Sequence, residues 1–463
     1  MTIGNFRSLT AWAALALLAV VAVTAVAATD GRTASADSQE TFIVVARGND
    51  LPPRVLRGLA GCRGDVTTPF PQIGVAVVKG PANSFAACAE RAPGVRSAIP
   101  DFKVGHDDPT SVVPAGSIED LADNPPDSGD DDEYFDFQWG HDAIDAPEAW
   151  DLGHRGDGVR VAVLDTAIDA DHPDLASNLN TELSKSFVDG DPFDPPDSPD
   201  LSHGTHVAGT IAAADNGQGS IGVAPEAEIV GVEVLDESGS GSFAGVLRGI
   251  VYAASIDADV INMSLGMYER LDNREALVAY LIYRRVANYA FQQGSTVVAA
   301  AGNSAIDLDS DGKFRVLPAE LPTVVSVSAT GPIGWAVDPD DADLDHPASY
   351  SNYGVSAVNF AGPGGNDEYE GGGECTIAGE TLPCGVFDMV LSTTTGGWAW
   401  AQGTSMATPH VSGVAALIIG KAGGEMAPIQ VMKALKDGAE DLGDPGADPF
   451  YGIGRVNALN SLE

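Results

Sequence analysis

Four polar side chains stand where this sequence could do chemistry: Asp165, His203, Asn303 and Ser405. Asp165 closes the apolar run in VAVLDTAID, where a carboxylate is half buried and able to orient an imidazole. His203 opens HGTHVAGTIAAA, whose glycine and small residues let a helix begin close against a sheet, leaving the imidazole at its amino end, the place for a general base. His206 is read as a core histidine bonded to backbone, and the pair lacks the spacing and glutamate of a zinc helix. Ser405 lies in GTSMATPHVSGVAALIIG just before a long apolar helix. By default such a serine is an N-cap; beside a base, the same helix end would instead stabilise a developing oxyanion through its N–H groups. Asn303 follows three alanines and Gly302, a tight strand end that could aim an amide at that oxyanion or simply make a turn.

These residues need a scaffold that brings them together. Five short apolar runs qualify as strands: 159–165, 228–235, 259–266, 295–303 and 323–330. Continuously apolar runs suit strands covered on both faces, and helical patterns such as 245–255 and 276–292 separate them. The expectation is an α/β fold with a doubly wound, mostly parallel sheet, whose ligands bind beyond the carboxyl ends of the strands. Asp165, Gly266 and Asn303 all fall at such ends.

The chain has 463 residues, 44% of them hydrophobic, and a formal net charge of −42, too apolar for a disordered acidic tail. That charge also excludes nucleic acid as a partner, since phosphate binding needs clustered Lys and Arg. Residues 41–105 hold eight Lys/Arg and four Asp/Glu, a net +4; residues 137–463 hold 14 and 48, a net −34. Between them, residues 106–136 carry eleven acidic and no Lys or Arg residues and read as a solvated, protease-accessible linker. In the basic block the pattern runs strand (41–46), helix (51–60), strand (73–79), helix (83–91), then an extended 95–104, a small α+β module. At the start, Arg7 precedes an uncharged stretch from Leu9 to Ala28, with small-residue exits at Ala25-Val26-Ala27 and Ala34-Ser35-Ala36. This reads as a signal peptide over 1–36; a retained membrane anchor is the alternative, decided by the mature amino terminus. The four cysteines fall as Cys62 with Cys88 and Cys375 with Cys384, which suits disulfides in an oxidising compartment, with free thiols as the alternative.

Taken together and in order, VAVLDTAID, HGTHVAGT, AAAGN and GTSMATPH resemble the subtilisin-like serine proteases, the subtilase family, over nearly all of 137–463. QWGHDAIDAPEAW at 138–150 and YGIGRVNALNSL at the far end add to the likeness. The resemblance implies that Ser405 is the nucleophile, His203 the general base and then acid, Asp165 the orienter of His203, and Asn303 an oxyanion donor beside the Ser405 N–H. It implies that extended substrate adds as a strand between Ser264-Leu265-Gly266 and Gly239-Ser240-Gly241. Ala167 and Met267 stand where the family usually has glycine, which leaves specificity open but not the catalytic residues.

The module at 37–105 is similar to the family's inhibitory propeptide, with TFIVVAR as its first strand and VRSAIPDFKV as its closing one. Its opposite charge would steer it to the acidic domain and hold it more tightly at low salt. A zymogen cut falls somewhere in 104–137. Calcium is the implied cofactor: HPDL at 172–175 and AADNGQGSIGVAP at 213–225 match a structural site, with side-chain oxygens from Asp174 and Asn216 and carbonyls from Ala214, Gln218 and Ser220. A second candidate is Asp307, Asp309 and Asp311 with Gly312, the first half of an EF-hand loop, although Pro318 replaces the closing Glu. The wider acidity suits either calcium or high-salt life.

The resulting expectation is a secreted, calcium-stabilised, monomeric serine endopeptidase acting on polypeptides and made as an autoprocessed zymogen. Its rivals are a catalytically silent scaffold that binds peptides or calcium, and a membrane-anchored processing protease.

Overall fold

The computed structural model describes residues 38–106, 112–115, 132–195, 202–366, 368–377 and 379–463. The signal segment, most of the acidic linker and part of the 189–200 acidic cluster lie outside the described residues. Among the described residues no helix is long and apolar enough to cross a membrane.

The amino-terminal module is built from β1 (Gln39–Ala46), α1 (Pro53–Gly61), β2 (Asp65–Phe70), β3 (Val75–Pro81), α2 (Phe85–Ala89) and β4 (Val95–Pro100). They make one antiparallel sheet in the order β2-β3-β1-β4. Strand alternation divides β1 between two cores. Phe42, Val44 and Ala46 pack on the module's own helices with Val55, Leu59 and Phe85. Ile43 and Val45 join Val75, Val77 and Ile99 on the opposite face. Cys62 and Cys88 are disulfide-bonded, as are Cys375 and Cys384. The chain leaves the module through β5 (Lys103–Gly105) and makes a second short strand, β6 (Val112–Pro114).

The large domain begins at Asp132, with α3 (Trp139–Ala143) and α4 (Ala146–Asp151) leading into β7 (Arg160–Asp165) and β8 (Lys185–Ser186). Then come α5 (His203–Ala212), β9 (Glu228–Glu233), β10 (Ser240–Ser242), α6 (Phe243–Ser255), β11 (Val260–Met263) and β12 (Met267–Arg270). They are followed by α7 (Arg274–Gln293), β13 (Thr296–Ala300), β14 (Phe314–Leu317), β15 (Val324–Thr330) and β16 (Phe360–Pro363). The hairpins β17 (Glu374–Ile377) with β18 (Glu380–Pro383) and β19 (Val390–Thr394) with β20 (Gly397–Ala401) precede α8 (Thr404–Lys421). The central sheet has the order β16-β15-β13-β11-β7-β9-β8 and every pair is parallel. One face, with Val161, Val163, Ile229 and Val298, packs on α5 and α8 through Val207, Ile211, Val411 and Val414. The other, with Ala162, Leu164, Val232 and Ile261, packs on α6 and α7 through Leu247, Ile250, Ile282 and Val286. All five apolar runs are therefore strands buried on both sides, as their composition requires.

The apolar face of the module closes over α6 and α7 and shares their core, with Phe102 stacked on Phe243 at 4.6 Å. This corrects the charge argument. The cations at the contact come chiefly from the acidic domain: Arg285 donates to the carbonyls of Ala46, Ile73 and Gly74, and Arg274 pairs with Glu90 of the module. Asp101 of the module accepts from Ala244 N at 3.0 Å in the first turn of α6. The oppositely signed pair, Lys103 with Asp236, spans 3.8 Å between exposed side chains and contributes little. Net charge fixes the far field, whereas docking selects local partners.

The linker is also shorter than its composition suggests. Asp132, Tyr134 and Phe135 are buried in the large domain, and residues 112–114 pair with β20.

Candidate active site

Asp165 ends β7 fully buried, its carboxylate Oδ1 accepting from Thr166 N at 2.7 Å and meeting His203 Nδ1 at 2.8 Å. His203 is the first residue of α5. The helix can start this close to β7 because residue 204 is glycine: a Cβ there would lie 2.5 Å from the Thr166 carbonyl oxygen. Gly204 N also donates to Thr166 Oγ1 at 2.9 Å, fixing the turn that carries the imidazole. His203 is 5% exposed, and its Nε2 has no hydrogen-bond partner among the described residues. His206 turns into the core, its Nε2 bonding the carbonyls of Val390 and Ala399 at 3.2 and 3.1 Å. Burial, reinforced by His203, pushes its pKa down to about 3, so it stays neutral and structural.

Ser405 is the second residue of α8, so its own N–H is among the first-turn donors that lack an intrahelical acceptor. Its hydroxyl donates to the Ser264 carbonyl at 3.3 Å, while Ser264 Oγ donates back to the Ser405 carbonyl at 2.8 Å. Asn303 lies just past β13, its Oδ1 accepting from Thr404 N at 2.9 Å and Thr404 Oγ1 at 2.8 Å. That grip turns the amide nitrogen toward the start of α8: a Cβ on Gly403 would come 3.2 Å from Asn303 Nδ2.

The expected strand-binding segments face one another, and the chain's own β5 lies between them. Ser240, Gly241 and Ser242 pair with Gly105, Val104 and Lys103. On the same side His106 N donates to the Gly239 carbonyl at 3.3 Å, and on the other Gly266 N donates to the Gly105 carbonyl at 2.9 Å. Glycine is required at 241, where a Cβ would meet the Val234 carbonyl oxygen at 1.9 Å. The His106 ring stacks on His203, centroids 4.2 Å apart and planes 8° from parallel. A carboxylate-held imidazole, a hydroxyl at a helix amino end and an adjacent amide thus border a groove that takes an extended chain. This arrangement can transfer an acyl group from a peptide bond to serine.

Of the expected calcium ligands, Asp174 is fully buried, its Oδ1 without a partner among the described residues, and its Oδ2 accepts from Trp398 Nε1 at 2.7 Å and Ser220 N at 3.0 Å. The Ala214–Ser220 loop closes beside it. Asp132, assigned from sequence to the linker, is buried against that loop and accepts from the backbone N of Asn216, Gly217 and Gln218. The only sequence signal for it was the acidic run that ends just before Tyr134 and Phe135.

The second candidate fails as a ligand set. Asp309 accepts from Ser356 N, Asp311 pairs with Arg270 at 3.0 Å, and Asp307 accepts from Asp309 N. Each carboxylate is satisfied locally, and among the described residues no group of three His, Cys, Asp or Glu is placed to hold a metal.

Sequence reasoning also missed Asn352. It is fully buried and brackets Asn303: Nδ2 donates to the Ala301 carbonyl at 2.7 Å, while Oδ1 accepts from Ser304 N at 3.2 Å and Ile306 N at 3.0 Å. Its backbone N donates to the Gly302 carbonyl at 2.9 Å. Nothing in SYSNYG marks the asparagine beyond a turn.

Residues 156–454 match the model of the subtilase family. The chain is 34% identical to thermitase of Thermoactinomyces vulgaris over 72% of its own length and 98% of that protein. It is 36% identical to subtilisin Savinase of Lederbergia lenta over 69% of its length and 96% of that protein. Among solved structures, fervidolysin from Fervidobacterium pennivorans, a keratinolytic enzyme related to subtilisin, superimposes with a TM-score of 0.68 at 27% identity, covering 92% of this chain and 61% of that one. The epidermin leader peptide processing serine protease of Staphylococcus aureus shares the fold, with a TM-score of 0.71 at 23% identity over 92% of this chain and 98% of that one.

Proposed function

The chain belongs to the subtilase family and is a serine endopeptidase, and from that premise we propose that Asp165, His203 and Ser405 are its catalytic triad, that Asn303 completes its oxyanion hole, and that it is secreted as a zymogen inhibited by residues 37–105. The observation that carries this reading is the buried 2.8 Å contact between Asp165 and His203 in a groove already filled by an extended strand of the same chain.

The Ser405 hydroxyl leaves the Ser264 carbonyl, gives its proton to His203 Nε2 and attacks the substrate carbonyl carbon. The oxygen that gains the negative charge is met by the Ser405 N–H and Asn303 Nδ2; losing one such donor typically costs about 10²–10³ in turnover. Asp165 holds the ring by Nδ1 and stabilises the imidazolium. That proton then goes to the leaving amine as the C–N bond breaks, and water, deprotonated by the same ring, hydrolyses the ester. Ser264–Gly266 and Gly239–Gly241 bind polypeptide substrate as an added strand. β5 mimics it, which supports the reading of the module as an intramolecular inhibitor.

Calcium fits beside Asp174, whose buried Oδ1 has no partner among the described residues and whose Oδ2 is held by Ser220 N of the Ala214–Ser220 loop. Asp174 and Asn216 would supply side-chain oxygens, and Ala214, Gln218 and Ser220 carbonyls. Bound there, the ion would tie the loop after α5 to the segment that follows β7. The two disulfides suit an exported protein.

The test is labelling of the processed protein with a peptidyl organophosphonate. Peptide mapping is expected to put the adduct on Ser405, and Ser405→Ala to abolish both labelling and maturation. A Ser405→Ala protein that still matures on its own would refute the assignment.

A further inference from the structure

Residues 103–106 approach the site along Gly266 and β10, and the same chain reappears at Val112 on its other side. There β6 runs antiparallel to β20, with Val112, Val113 and Pro114 opposite Ala401, Trp400 and Ala399, and Ala115 N donating to the Trp398 carbonyl at 2.8 Å. β20 leads straight into Gly403 and Ser405, and the antiparallel register puts Val112 nearest to them and Ala115 farthest away. Val112, Val113 and Ala115 also pack on the cluster that holds Trp398 and Trp400. Pro114 fits an edge strand, because its missing N–H falls opposite Ala399, at a position that does not bond across the pair. The chain thus enters on one side of the serine hydroxyl and leaves on the other, each time as an added strand.

We infer that the outer edge of β20 binds the part of a polypeptide that follows the scissile bond, and that residues 112–115 occupy this edge in the precursor, so that activation takes two cuts. The inference rests on the proteolytic reading above. A first cut between β5 and β6 frees the module, yet it leaves residues 112–115 on the catalytic side, tethered to Asp132 and able to stay paired with β20. Substrates with several residues beyond the cut bond then compete with a tethered strand, whereas substrates ending in a small leaving group do not. A second cut, between Ala115 and Asp132, clears the edge.

The experiment follows maturation of the full chain in time. At each point the amino termini are sequenced, and activity is measured on a peptide p-nitroanilide and on an internally quenched peptide extending five residues past the cut bond. The bound module blocks both substrates alike, so the ratio of the two rates isolates β6. Two successive amino termini are expected, one within 107–112 and one within 116–132, with the quenched-to-anilide ratio rising at least about tenfold at the second. Val113→Pro, which removes a donor from β6, should give the final ratio after the first cut alone. A constant ratio, or a fully active enzyme that still begins within 107–112, overturns the inference. Absence of p-nitroanilide hydrolysis throughout would instead sink the proteolytic reading itself.

Discussion

Removing the Asn352 side chain should slow catalysis without weakening substrate binding. The amide touches neither the groove nor the serine; it holds Ala301, Ser304 and Ile306, the residues on either side of Asn303. It also donates to Tyr268 Oη at 3.2 Å, and Ser304 Oγ donates to the same oxygen at 3.0 Å, which ties the loop to β12. Asn352→Ala leaves the buried Ala301 carbonyl and the N–H groups of exposed Ser304 and half-buried Ile306 without these partners. At about 1–3 kcal/mol for the unmet buried carbonyl, and with water able to reach the two N–H groups, the loss of stability comes to about 1–3 kcal/mol. If the loop then relaxes so that Asn303 no longer meets the oxyanion, kcat should fall by about 10–10², toward the 10²–10³ expected for losing the donor outright. KM should hold within about twofold, since Gly266 and Gly239–Gly241 keep their backbone contacts. The assay is kcat and KM on a peptide p-nitroanilide, per active site titrated with phosphonate, for Asn352→Ala, Asn303→Ala and the double variant. A positioning residue that works through Asn303 gives a double variant no slower than Asn303→Ala alone. Fully multiplicative losses, or a raised KM at unchanged kcat, would refute the reasoning.

Asp136 offers a test by pH. Both its carboxylate oxygens are buried without partners among the described residues, and burial, reinforced by the charge of Asp142, pushes its pKa up to about 7 from an ordinary 3.8. The folded state therefore holds this proton more tightly than the unfolded chain, so the carboxyl costs nothing below pH 4, and its penalty grows until pH passes 7. Asp136→Asn should raise stability by about 2–4 kcal/mol at pH 8 and leave it unchanged at pH 4, measured by denaturant titration; equal gains at both would exclude a titrating cause. Chelation of calcium should lower the melting temperature of the processed enzyme by about 5 °C, the effect of losing an ion held at about a hundred times its Kd, and Asp174→Asn should abolish that sensitivity. An unchanged melting curve would remove structural calcium. The isolated module should bind the mature domain with a Kd that changes less than about threefold between 0.1 and 2 M salt, because the contact is apolar and its cations come chiefly from the acidic domain itself. A tenfold weakening with salt would restore the electrostatic account.

The letters revealed what is local or periodic, and missed what depends on a distant partner. β7, β9, β11, β13 and β15 were legible because a strand buried on both faces must be apolar throughout, and Asp165, His203 and Ser405 because each sits where such a pattern breaks into a polar residue. β2 was not: DVTTPF alternates polar residues and carries Pro69, a composition that serves a loop as well as an edge strand, and only β3 decides between them. β6 was hidden for the same reason, two valines and a proline in an acidic linker, made a strand by β20. The aspartates at 307, 309 and 311 misled because alternate carboxylates suit a calcium loop and a run of side chain-to-backbone turns equally well. Here Asp307 and Asp311 each accept from the N–H two residues on, bonds the chain supplies without an ion. Asn352 belongs with β6 and not with Asp165, His203 and Ser405: its value lies in bracketing Asn303 from 49 positions away in the sequence, and no spacing rule links them. A side chain that reacts must be of one chemical type and so leaves a mark in the sequence. A side chain that only holds another in place leaves its mark in the contacts, which explains why the supports of this site are found by following hydrogen bonds outward from Asn303.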